Sequence, residues 1–470
     1  MNPYLGVELD GAGRHPAAWR LPDARPSELF GAGYWTDLAR TADAAGLDFL
    51  VFADSFAPPV DGPGQTGIVR GRLDAVAIAA RVAPVTSTIG LVPTATVTHT
   101  EPFHLSKAIA TLDFVSLGRA GWQPSVSSTA AEADLFGRKD AAPAAVLWRE
   151  LAEAVEVAVR LWDSWEDGAV IRDVATGRYV DREKLHYIDF TGEFFSVKGP
   201  SITPRSPQAH PPLVLRCDGT ADEPAALPVI GRWAQVVRVA APDLATAAEV
   251  RARVRDAVGE AGREPDSVAV LLDVETLLAD SADEAQRVLG QLDGWVDGER
   301  FALPTYTQRP RTAQVVGTAP GLADLIEDAV RGRAVDGVTL IPLALPSGLR
   351  AITDGLLPLL AERGLWSGEA GGSGEVGGVG GPLRIGRQSK AAAEHPVAEY
   401  PAGAAAEHPV AEHVAAEHPA TLRDRFGLPR PANYFATNYA ATNYAATNYA
   451  ATNYAATNYS VANHSTEARA

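Results

Sequence analysis

The chain has 470 residues with 41 basic and 58 acidic side chains, and its formal charge of −17 at pH 7 disfavours nucleic acid and anionic membrane surfaces as partners. Its one cysteine, Cys217, excludes an internal disulfide and a zinc site built on a C-x-x-C pair, which fits a reducing cytoplasm and no bound metal. The sequence shows no signal-peptide pattern at its start and no uncharged apolar run of membrane-spanning length, so we expect a cytoplasmic protein.

Short β-branched runs alternate with longer helical patterns up to about Trp366. The predicted strands are Tyr4–Leu9, Asp48–Ala53, Thr88–Pro93, Phe114–Gly118, Leu213–Cys217, Ala234–Val239, Val268–Thr276 and Gly337–Pro342. The predicted helices are Trp35–Ala45, Leu73–Ala83, Phe103–Leu112, Trp148–Leu161, Leu244–Ala261, Ala282–Leu292, Gly321–Arg331 and Gly348–Arg363. This alternation predicts an α/β fold, a (β/α)8 TIM barrel over residues 1–366. No G-x-G-x-x-G turn follows the first strand, so an open dinucleotide-binding sheet is the weaker alternative.

One long segment, residues 164–212, interrupts this alternation. It has few periodic features and several turn signals, among them Asp167-Gly168 and Thr176-Gly177. Loops of this length in a compact domain usually have a function. We expect the segment to be an insertion that covers the C-terminal mouth of the barrel, where active sites of such barrels are built.

The composition changes sharply after Trp366. Residues 367–420 begin as a glycine-rich linker and continue with AEHP repeats, and residues 436–470 repeat ATNYA with a period of five. A period of five matches neither a strand nor a helix, and the prolines of the AEHP repeats prevent a continuous helix. Both segments are predicted to be disordered low-complexity sequence.

Polar side chains follow four predicted strands at the end where a barrel directs them into its mouth. These residues are Asp54, Ser55, Thr94, Thr96, Thr98, His99, Gly121, Trp122, Gln123, Asp218, Gly219 and Thr220. Hydroxyls and amides without a cluster of acids and bases are typical of a site where a bound cofactor performs the chemistry. The sequence contains neither G-x-S-x-G nor H-E-x-x-H, so hydrolase and zinc chemistry are disfavoured.

Several long stretches resemble one family. LDFVSLGRAGWQPSVSS (112–128), LWDSWEDGAVIRD (161–173) and FTGEFFSVKGPSITPRSPQAHPPLV (190–214) are similar to the bacterial luciferase-like flavin monooxygenases, in the branch of nitrilotriacetate monooxygenase component A and related xenobiotic monooxygenases. HPAAWR (15–20) and FLVFADS (49–55) agree with this resemblance. TLRDRFGLPRPAN (421–433) is similar to the family's C-terminal ending, which we place at residues 421–435.

The resemblance implies a TIM barrel that uses FMN in its reduced form, FMNH2, delivered by a separate flavin reductase, with O2 as co-substrate. It implies insertion of one oxygen atom into a small organic substrate through a C4a-peroxyflavin in a dry barrel mouth. It also implies a homodimer. The identity of the substrate is not readable from the sequence.

The family's flavin contacts carry over in part. Asp54, Thr96 and Thr220 match the aspartate after strand two, the hydroxyl after strand three and the serine of the phosphate turn. The full set of residues expected at the cofactor is Asp54, Thr94, Thr96, Trp122, Gln123, Trp148, Gly219 and Thr220. Three of them have a plainer alternative, since Asp54 and Thr220 are also typical helix caps and Trp122 is a typical pocket wall. No catalytic group is assigned, and His15 is the one candidate.

Two departures from the family keep other functions open. The phosphate turn carries the extra carboxylates Asp218 and Glu223, and the family's His-x-x-x-Tyr pair is replaced by Ala144 and Trp148. Carboxylates repel a phosphate, although Arg216 offsets part of that repulsion. The alternatives are a deazaflavin-dependent oxidoreductase on the same barrel and a catalytically inactive binding or accessory barrel.

Overall fold

The barrel predicted from the sequence is confirmed by the computed structural model, which describes residues 2–57, 67–217, 223–296, 312–367 and 420–435. The strands are β1 Tyr4–Leu9, β2 Phe49–Phe52, β3 Gly90–Thr96, β4 Gln123–Ser125, β5 Val170–Asp173, β6 Arg178–Val180, β7 Phe190–Thr191, β8 Ser196–Val197, β9 Val214–Cys217, β10 Val236–Val239, β11 Ala269–Leu278, β12 Ala313–Gly317 and β13 Gly337–Pro342. Eight parallel strands pair in the order β4-β3-β2-β1-β13-β11-β10-β9, and β12 pairs with β11 outside this path. The wall closes between β4 and β9, where Trp122 N donates to Pro212 O and Val214 N donates to Trp122 O, each at 2.9 Å.

The helices surround the barrel. They are α1 Ala32–Ala45, α2 Ala75–Val82, α3 Pro102–Val115, α4 Ala130–Phe136, α5 Ala144–Asp163, α6 Glu223–Trp233, α7 Leu244–Glu260, α8 Ala282–Trp295, α9 Ala319–Arg331, α10 Ser347–Arg350, α11 Leu357–Glu362 and α12 Leu422–Arg425, with a π-helical stretch at Ala351–Leu356. Side-chain caps mark where two of these helices begin. Asp74 accepts a hydrogen bond from Ala77 N at 2.7 Å at the start of α2, and Thr129 and Glu132 form a capping box at the start of α4.

One predicted strand, Phe114–Gly118, is wrong. Its first two residues end α3, and Leu117 and Gly118 adopt φ values of 55° and 84° in the left-handed region, a common way for a helix to stop. The fourth barrel strand is instead Gln123–Ser125, a few residues later. The helices α4 and α6 and the strand β12 were not predicted; Pro228 lies inside α6 and obscures its pattern.

The N-terminal end of the barrel is filled by apolar side chains. Tyr4, Phe49, Val51, Val92, Val214, Val236 and Leu271 come from six different strands and form one buried cluster with Leu422 and Phe426. Strands that are not neighbours share this cluster, so it occupies the barrel interior. The Phe426 ring lies 5.0 Å from Tyr4 and 5.9 Å from Phe49, centroid to centroid. The described C-terminal ending, residues 420–435, therefore plugs the bottom of the barrel.

Hydrogen bonds hold this C-terminal ending in place. Leu422 N donates to Gly118 O at 2.9 Å, and Arg423 N donates to Gln208 Oε1 at 2.8 Å. The guanidinium of Arg425 donates to the carbonyl oxygens of Asp48 and Thr88, the residues that precede β2 and β3. The ending is thus tied to both the strand starts and the 164–212 segment.

The insertion at 164–212 does not cover the mouth, contrary to the sequence prediction. Helix α5 follows β4 at the mouth and runs back along the barrel, so residues after Asp163 emerge at the opposite end. From there the insertion contacts the C-terminal ending and forms the hairpins β5–β6 and β7–β8. The tip of β7–β8 packs along α5, where Phe194 N donates to Glu153 Oε2 at 2.9 Å and Glu193 pairs with Arg149. Arg205 donates to Asp163 Oδ1 at 3.0 Å and to Pro431 O at 2.8 Å, and Arg430 pairs with Asp167 at 2.7 Å.

The glycine-rich linker and the AEHP repeats lie outside the described residues except at their edges, and the ATNYA repeat lies wholly outside them. Within the described ranges, no helix is both long and apolar enough to cross a membrane. The same residues contain no group of three or more metal-binding side chains.

Candidate active site at the mouth of the barrel

A charged and polar layer lies above the apolar plug. Glu8 of β1 and Asp273 of β11 both pair with Arg238 of β10. Neither β1 nor β4 neighbours β10 in the sheet, so the contacts of Arg238 with Glu8 and Gln123 cross the barrel interior. Because side chains alternate along a strand, the residues that face inward at this level come from one side of each strand. We call Glu8, Thr94, Gln123, Arg238 and Asp273 the polar floor of the mouth.

Arg238 is the centre of the polar floor and is fully buried. Its Nε and one terminal nitrogen donate to the two oxygens of Asp273 at 2.8 and 3.0 Å. The other terminal nitrogen lies 2.7 Å from Glu8 Oε2 and donates to Gln123 Oε1 at 2.9 Å. A guanidinium that is bonded on every side in this way is rigid, and removing any partner leaves a buried charge uncompensated.

The arginines of the polar floor act on the pKa values of its two carboxylates. Burial acts to raise the pKa of Glu8, but Arg238, Arg216 and Arg14 together lower it to about 2, so Glu8 is ionised at neutral pH. Burial raises the pKa of Asp273, and Arg238 and Arg216 oppose that rise. Arg216 extends the network toward the open mouth: its terminal nitrogen lies 3.3 Å from Asp273 Oδ2, and 28% of its side chain is exposed.

Three predicted site residues, Thr94, Gln123 and Thr96, point into the barrel. Gln123 Nε2 donates to Thr94 Oγ1 at 2.8 Å, so both belong to the polar floor. The hydroxyl of Thr96 lies 2.9 Å from the Ser127 hydroxyl, and Ser127 N donates to Thr98 Oγ1 at 2.9 Å. The structure therefore places the hydroxyls at the end of β3 beside the amide of β4 and the loop that follows β4.

Asp54 lies at the mouth after β2 and is half-buried. Its carboxylate accepts from Ala75 N at 3.0 Å and from Ser55 N at 2.8 Å. Burial raises the pKa of Asp54, and these two backbone hydrogen bonds and Arg72 oppose the rise. Asp54 thus binds the first residue of α2, which is the helix-capping alternative given by the sequence. A contact between Asp54 and the flavin stays a prediction.

Two predicted aromatic contacts lie away from the polar floor. Trp122 is fully buried, and its ring meets the Trp162 ring of α5 edge to face at 6.3 Å. Since Gln123 points inward, its neighbour Trp122 points outward, between the wall and α5. This placement speaks against a cofactor contact of Trp122. Trp148 is half-buried near the start of α5, at the mouth end, and packs against the main core.

His15 lies at the mouth but has both ring nitrogens engaged. Ala17 N donates to His15 Nδ1 at 3.2 Å, and Nε2 lies 3.1 Å from Asp293 Oδ1 of α8. Since Nδ1 accepts, the neutral ring carries its proton on Nε2. Burial lowers the pKa of His15 although Asp293 opposes this. The ring therefore links the loop after β1 to α8, and this arrangement favours a positioning role over proton transfer.

The predicted phosphate turn follows β9. Gly219 and Thr220 lie outside the described residues, as does Asp218. Glu223, the other extra carboxylate, pairs with Arg253 of α7 through a 2.5 Å contact. This ion pair offsets part of the negative charge that the sequence places near a phosphate.

A cleft that sequence reasoning missed opens beside the floor, at the C-terminal ends of β1 and β2. Its lining includes Arg14 and Arg72 as well as Trp19, Phe30 and Trp35. The available signal was an arginine at the fifth position after the first strand, in Asp10-Gly11-Ala12-Gly13-Arg14.

The comparison with known proteins decides the family. Residues 14–335 match the family described as luciferase-like monooxygenase. The chain belongs to this family. N-acetyl-S-(2-succino)cysteine monooxygenase of Bacillus subtilis (strain 168) is 30% identical over 422 residues, 78% of this chain and 94% of that protein. Nitrilotriacetate monooxygenase component A of Aminobacter aminovorans is 30% identical over 430 residues, with the same two coverages.

A solved structure shares the fold. Riboflavin lyase (RcaE) with modified FMN and substrate riboflavin superposes with a TM-score of 0.69 at 24% identity, covering 78% of this chain and 93% of that one. The resemblance predicted from the sequence is confirmed, and the chain is a flavin-dependent monooxygenase of this family.

The mouth holds buried polar side-chain atoms of the kind that a flavin ring bonds to. The buried Thr339 Oγ1 and both ring nitrogens of His99 have no hydrogen-bond partner among the described residues. His99 stacks on Phe136 at 4.8 Å with the two rings 12° from parallel, and burial lowers its pKa, so the ring is neutral and has one donor and one acceptor. Unsatisfied buried polar groups beside a polar floor suit the carbonyls and ring nitrogens of an isoalloxazine.

Proposed function

We propose that the protein is an FMNH2-dependent monooxygenase that inserts one oxygen atom from O2 into a small organic substrate. It works in the cytoplasm and receives reduced flavin from a separate flavin reductase. The match of residues 14–335 to the luciferase-like monooxygenases, with a polar floor at the C-terminal mouth, supports this function most strongly. The name of one relative, a monooxygenase component A, supports a system of more than one component.

The flavin supplies the reaction with O2, and the protein supplies position and exclusion of water. Thr94, Thr96 and Gln123 present hydroxyl and amide groups at the strand ends. Arg238 fixes Gln123 from below through the 2.9 Å hydrogen bond, so the floor does not need to reorganise when a ring system lies on it. Trp148 lies at the mouth end of α5, where an aromatic side chain limits access of water.

The flavin phosphate belongs, in this proposal, at the turn that follows β9. Gly219 and Thr220 are the residues expected to donate to it, and the partly exposed Arg216 supplies positive charge near the end of β9. Asp54 is expected to contact the flavin at the opposite side of the mouth, after β2. The resemblance also supports a homodimer, which light scattering of the purified protein tests.

Anaerobic titration with photoreduced FMN tests the function. We expect saturable binding, weakened about tenfold or more by Asp54→Ala and by Thr220→Ala. Asp74→Ala is the matched control, because Asp74 caps the same helix that Asp54 holds but does so from an exposed position. If Asp54 acts only as a cap, the two aspartate variants behave alike.

The titration also separates the alternatives. Binding of a reduced deazaflavin in place of FMNH2 would replace the monooxygenase by a deazaflavin-dependent oxidoreductase. Absence of binding to both cofactors would make the barrel a binding or accessory protein. With FMNH2 bound, consumption of O2 that depends on an added flavin reductase and a substrate completes the test.

A further inference from the structure

The cleft at the ends of β1 and β2 presents two guanidinium groups. Arg14 and Arg72 each lie 3.2 Å from a different oxygen of Asp10, which therefore holds both arginines at the cleft. Only 9% of the Arg14 side chain is exposed, and its Nε has no hydrogen-bond partner among the described residues. Glu275 Oε1 lies 3.9 Å from that Nε, beyond hydrogen-bonding distance. The buried Nε is a donor in need of an acceptor.

The walls of the same cleft offer apolar surface. Trp19, Phe30 and Trp35 line it together with aliphatic side chains. The indole N–H of Trp19 donates to Gly67 O at 2.9 Å, and that of Trp35 donates to Leu29 O at 3.0 Å. Because both indole donors are engaged with the backbone, the two rings contribute to a ligand only their apolar faces.

The other polar side chains of the lining are already engaged. Both ring nitrogens of His15 have partners, and the Ser55 hydroxyl accepts from Ala57 N at 2.9 Å. The charged side chains of the described lining are Arg14, Arg72 and Asp10, and outside the lining Glu275 lies 3.9 Å from Arg14 Nε. The cleft therefore combines two guanidinium groups, a buried donor and flat apolar walls.

We propose that this cleft is the substrate subsite and that it takes small organic anions, with a flat apolar body against the tryptophan rings and a carboxylate against Arg14 and Arg72. This assignment rests on the proposed function, since it places the substrate beside the flavin at the mouth. Arg14 and Arg72 are binding residues that set specificity. Each keeps guanidinium N–H groups beyond the one bonded to Asp10, which is what bidentate recognition of a carboxylate requires.

Calorimetric titration of the full chain without flavin tests this subsite directly. Naphthoate and its neutral counterpart naphthamide are the two probes, because they share a flat apolar body and differ in charge. We expect naphthoate to bind at least about tenfold more tightly than naphthamide, as a charge-assisted bidentate contact predicts. Equal binding of the two probes, or binding of neither, would overturn the proposal.

Arg72→Gln and Arg14→Gln test the two contacts. Each is expected to lower naphthoate affinity about tenfold and to leave naphthamide binding unchanged. Arg70→Gln is the control, because Arg70 is an exposed arginine two positions from Arg72 that does not line the cleft. Arg72 is 32% exposed at the rim, so its variant keeps the test readable even if Arg14→Gln does not fold.

The same variants distinguish a substrate carboxylate from the flavin phosphate. We expect inorganic phosphate to compete poorly with naphthoate and reduced FMN to bind the variants as it binds the wild-type chain. Loss of reduced-FMN affinity in Arg14→Gln or Arg72→Gln would mean that these guanidinium groups bind the flavin phosphate, and it would refute the substrate subsite. Failure of the wild-type chain to bind reduced FMN while naphthoate is still preferred would instead refute the monooxygenase and leave the anion site standing.

Discussion

The two ends of the barrel are built from opposite chemistry. At the N-terminal end, apolar side chains of six strands close on Leu422 and Phe426. At the C-terminal end, the interior holds Glu8, Arg238 and Asp273, all less than 5% exposed, in one ion network. Apolar burial stabilises the fold, whereas a buried ion network contributes little net stability. The contrast indicates that the bottom maintains the fold and that the mouth is arranged for function.

Arg238→Met should produce the largest effect. The substitution leaves Glu8 and Asp273 buried without their cation, so we expect a loss of about 3–5 kcal/mol in the free energy of unfolding. Urea denaturation measures it. The triple variant Glu8→Gln, Arg238→Met, Asp273→Asn removes all three charges and is expected to recover most of this stability but not the affinity for reduced FMN. Recovery of both would show that the network has no role at the mouth.

Leu422→Ala tests the N-terminal end of the barrel. The side chain is fully buried in the barrel interior, so we expect a loss of about 2–5 kcal/mol in the free energy of unfolding. Affinity for reduced FMN should not change at temperatures where the variant is folded. Leu428→Ala is the matched control, since Leu428 packs on the same cluster from a partly buried position. Equal losses in the two variants would contradict a specific plug.

Acidification should loosen the bottom of the molecule. Burial acts to raise the pKa of Asp163, but His210, Arg205 and Tyr434 N lower it overall. Because its folded pKa is depressed, the carboxylate contributes stability above its unfolded pKa, and that contribution is lost as the pH falls through the folded value. Urea denaturation between about pH 7 and pH 3 should show a shallower pH dependence for Asp163→Asn than for the wild-type chain. Parallel curves would argue against this role of Asp163.

Thr421→Ala is the mildest change at the bottom. Thr421 and Asp424 form a capping box at α12, with Asp424 N donating to Thr421 Oγ1 at 3.1 Å. Loss of the cap should cost about 1 kcal/mol without effect on flavin affinity. Denaturant titration beside the wild-type chain measures the loss, and a cost near that of Leu422→Ala would mean that the cap, not the buried leucine, holds the ending.

Sequence reasoning reached the fold more closely than the site. The strands Tyr4–Leu9 and Gly337–Pro342 agree to the residue, because their apolar runs have clear boundaries. The Phe114–Gly118 error arose because an apolar run cannot by itself distinguish a helix end from a strand. The prediction that the insertion covers the C-terminal mouth was wrong. The insertion connects a helix to the next strand, and such connections lie at the N-terminal end of a barrel.

The sequence predicted only part of the polar floor. Thr94, Thr96 and Gln123 were predicted because they stand at strand ends in a recognised motif. Arg238 and Asp273 were missed, since each is a single charge in an apolar strand and their pairing depends on which strands face each other across the barrel. The Arg14 and Arg72 cleft was missed for the same reason: the two residues are brought together by Asp10 rather than by sequence spacing.

Paired measurements on Leu422→Ala and Arg216→Gln test most directly the division between a structural bottom and a functional mouth. Both variants are examined by urea denaturation and by anaerobic titration with reduced FMN. We predict that Leu422→Ala loses stability and keeps its flavin affinity, whereas Arg216→Gln keeps its stability within about 1 kcal/mol and binds reduced FMN about tenfold more weakly. The reverse pattern, or loss of flavin affinity in both folded variants, would contradict the account.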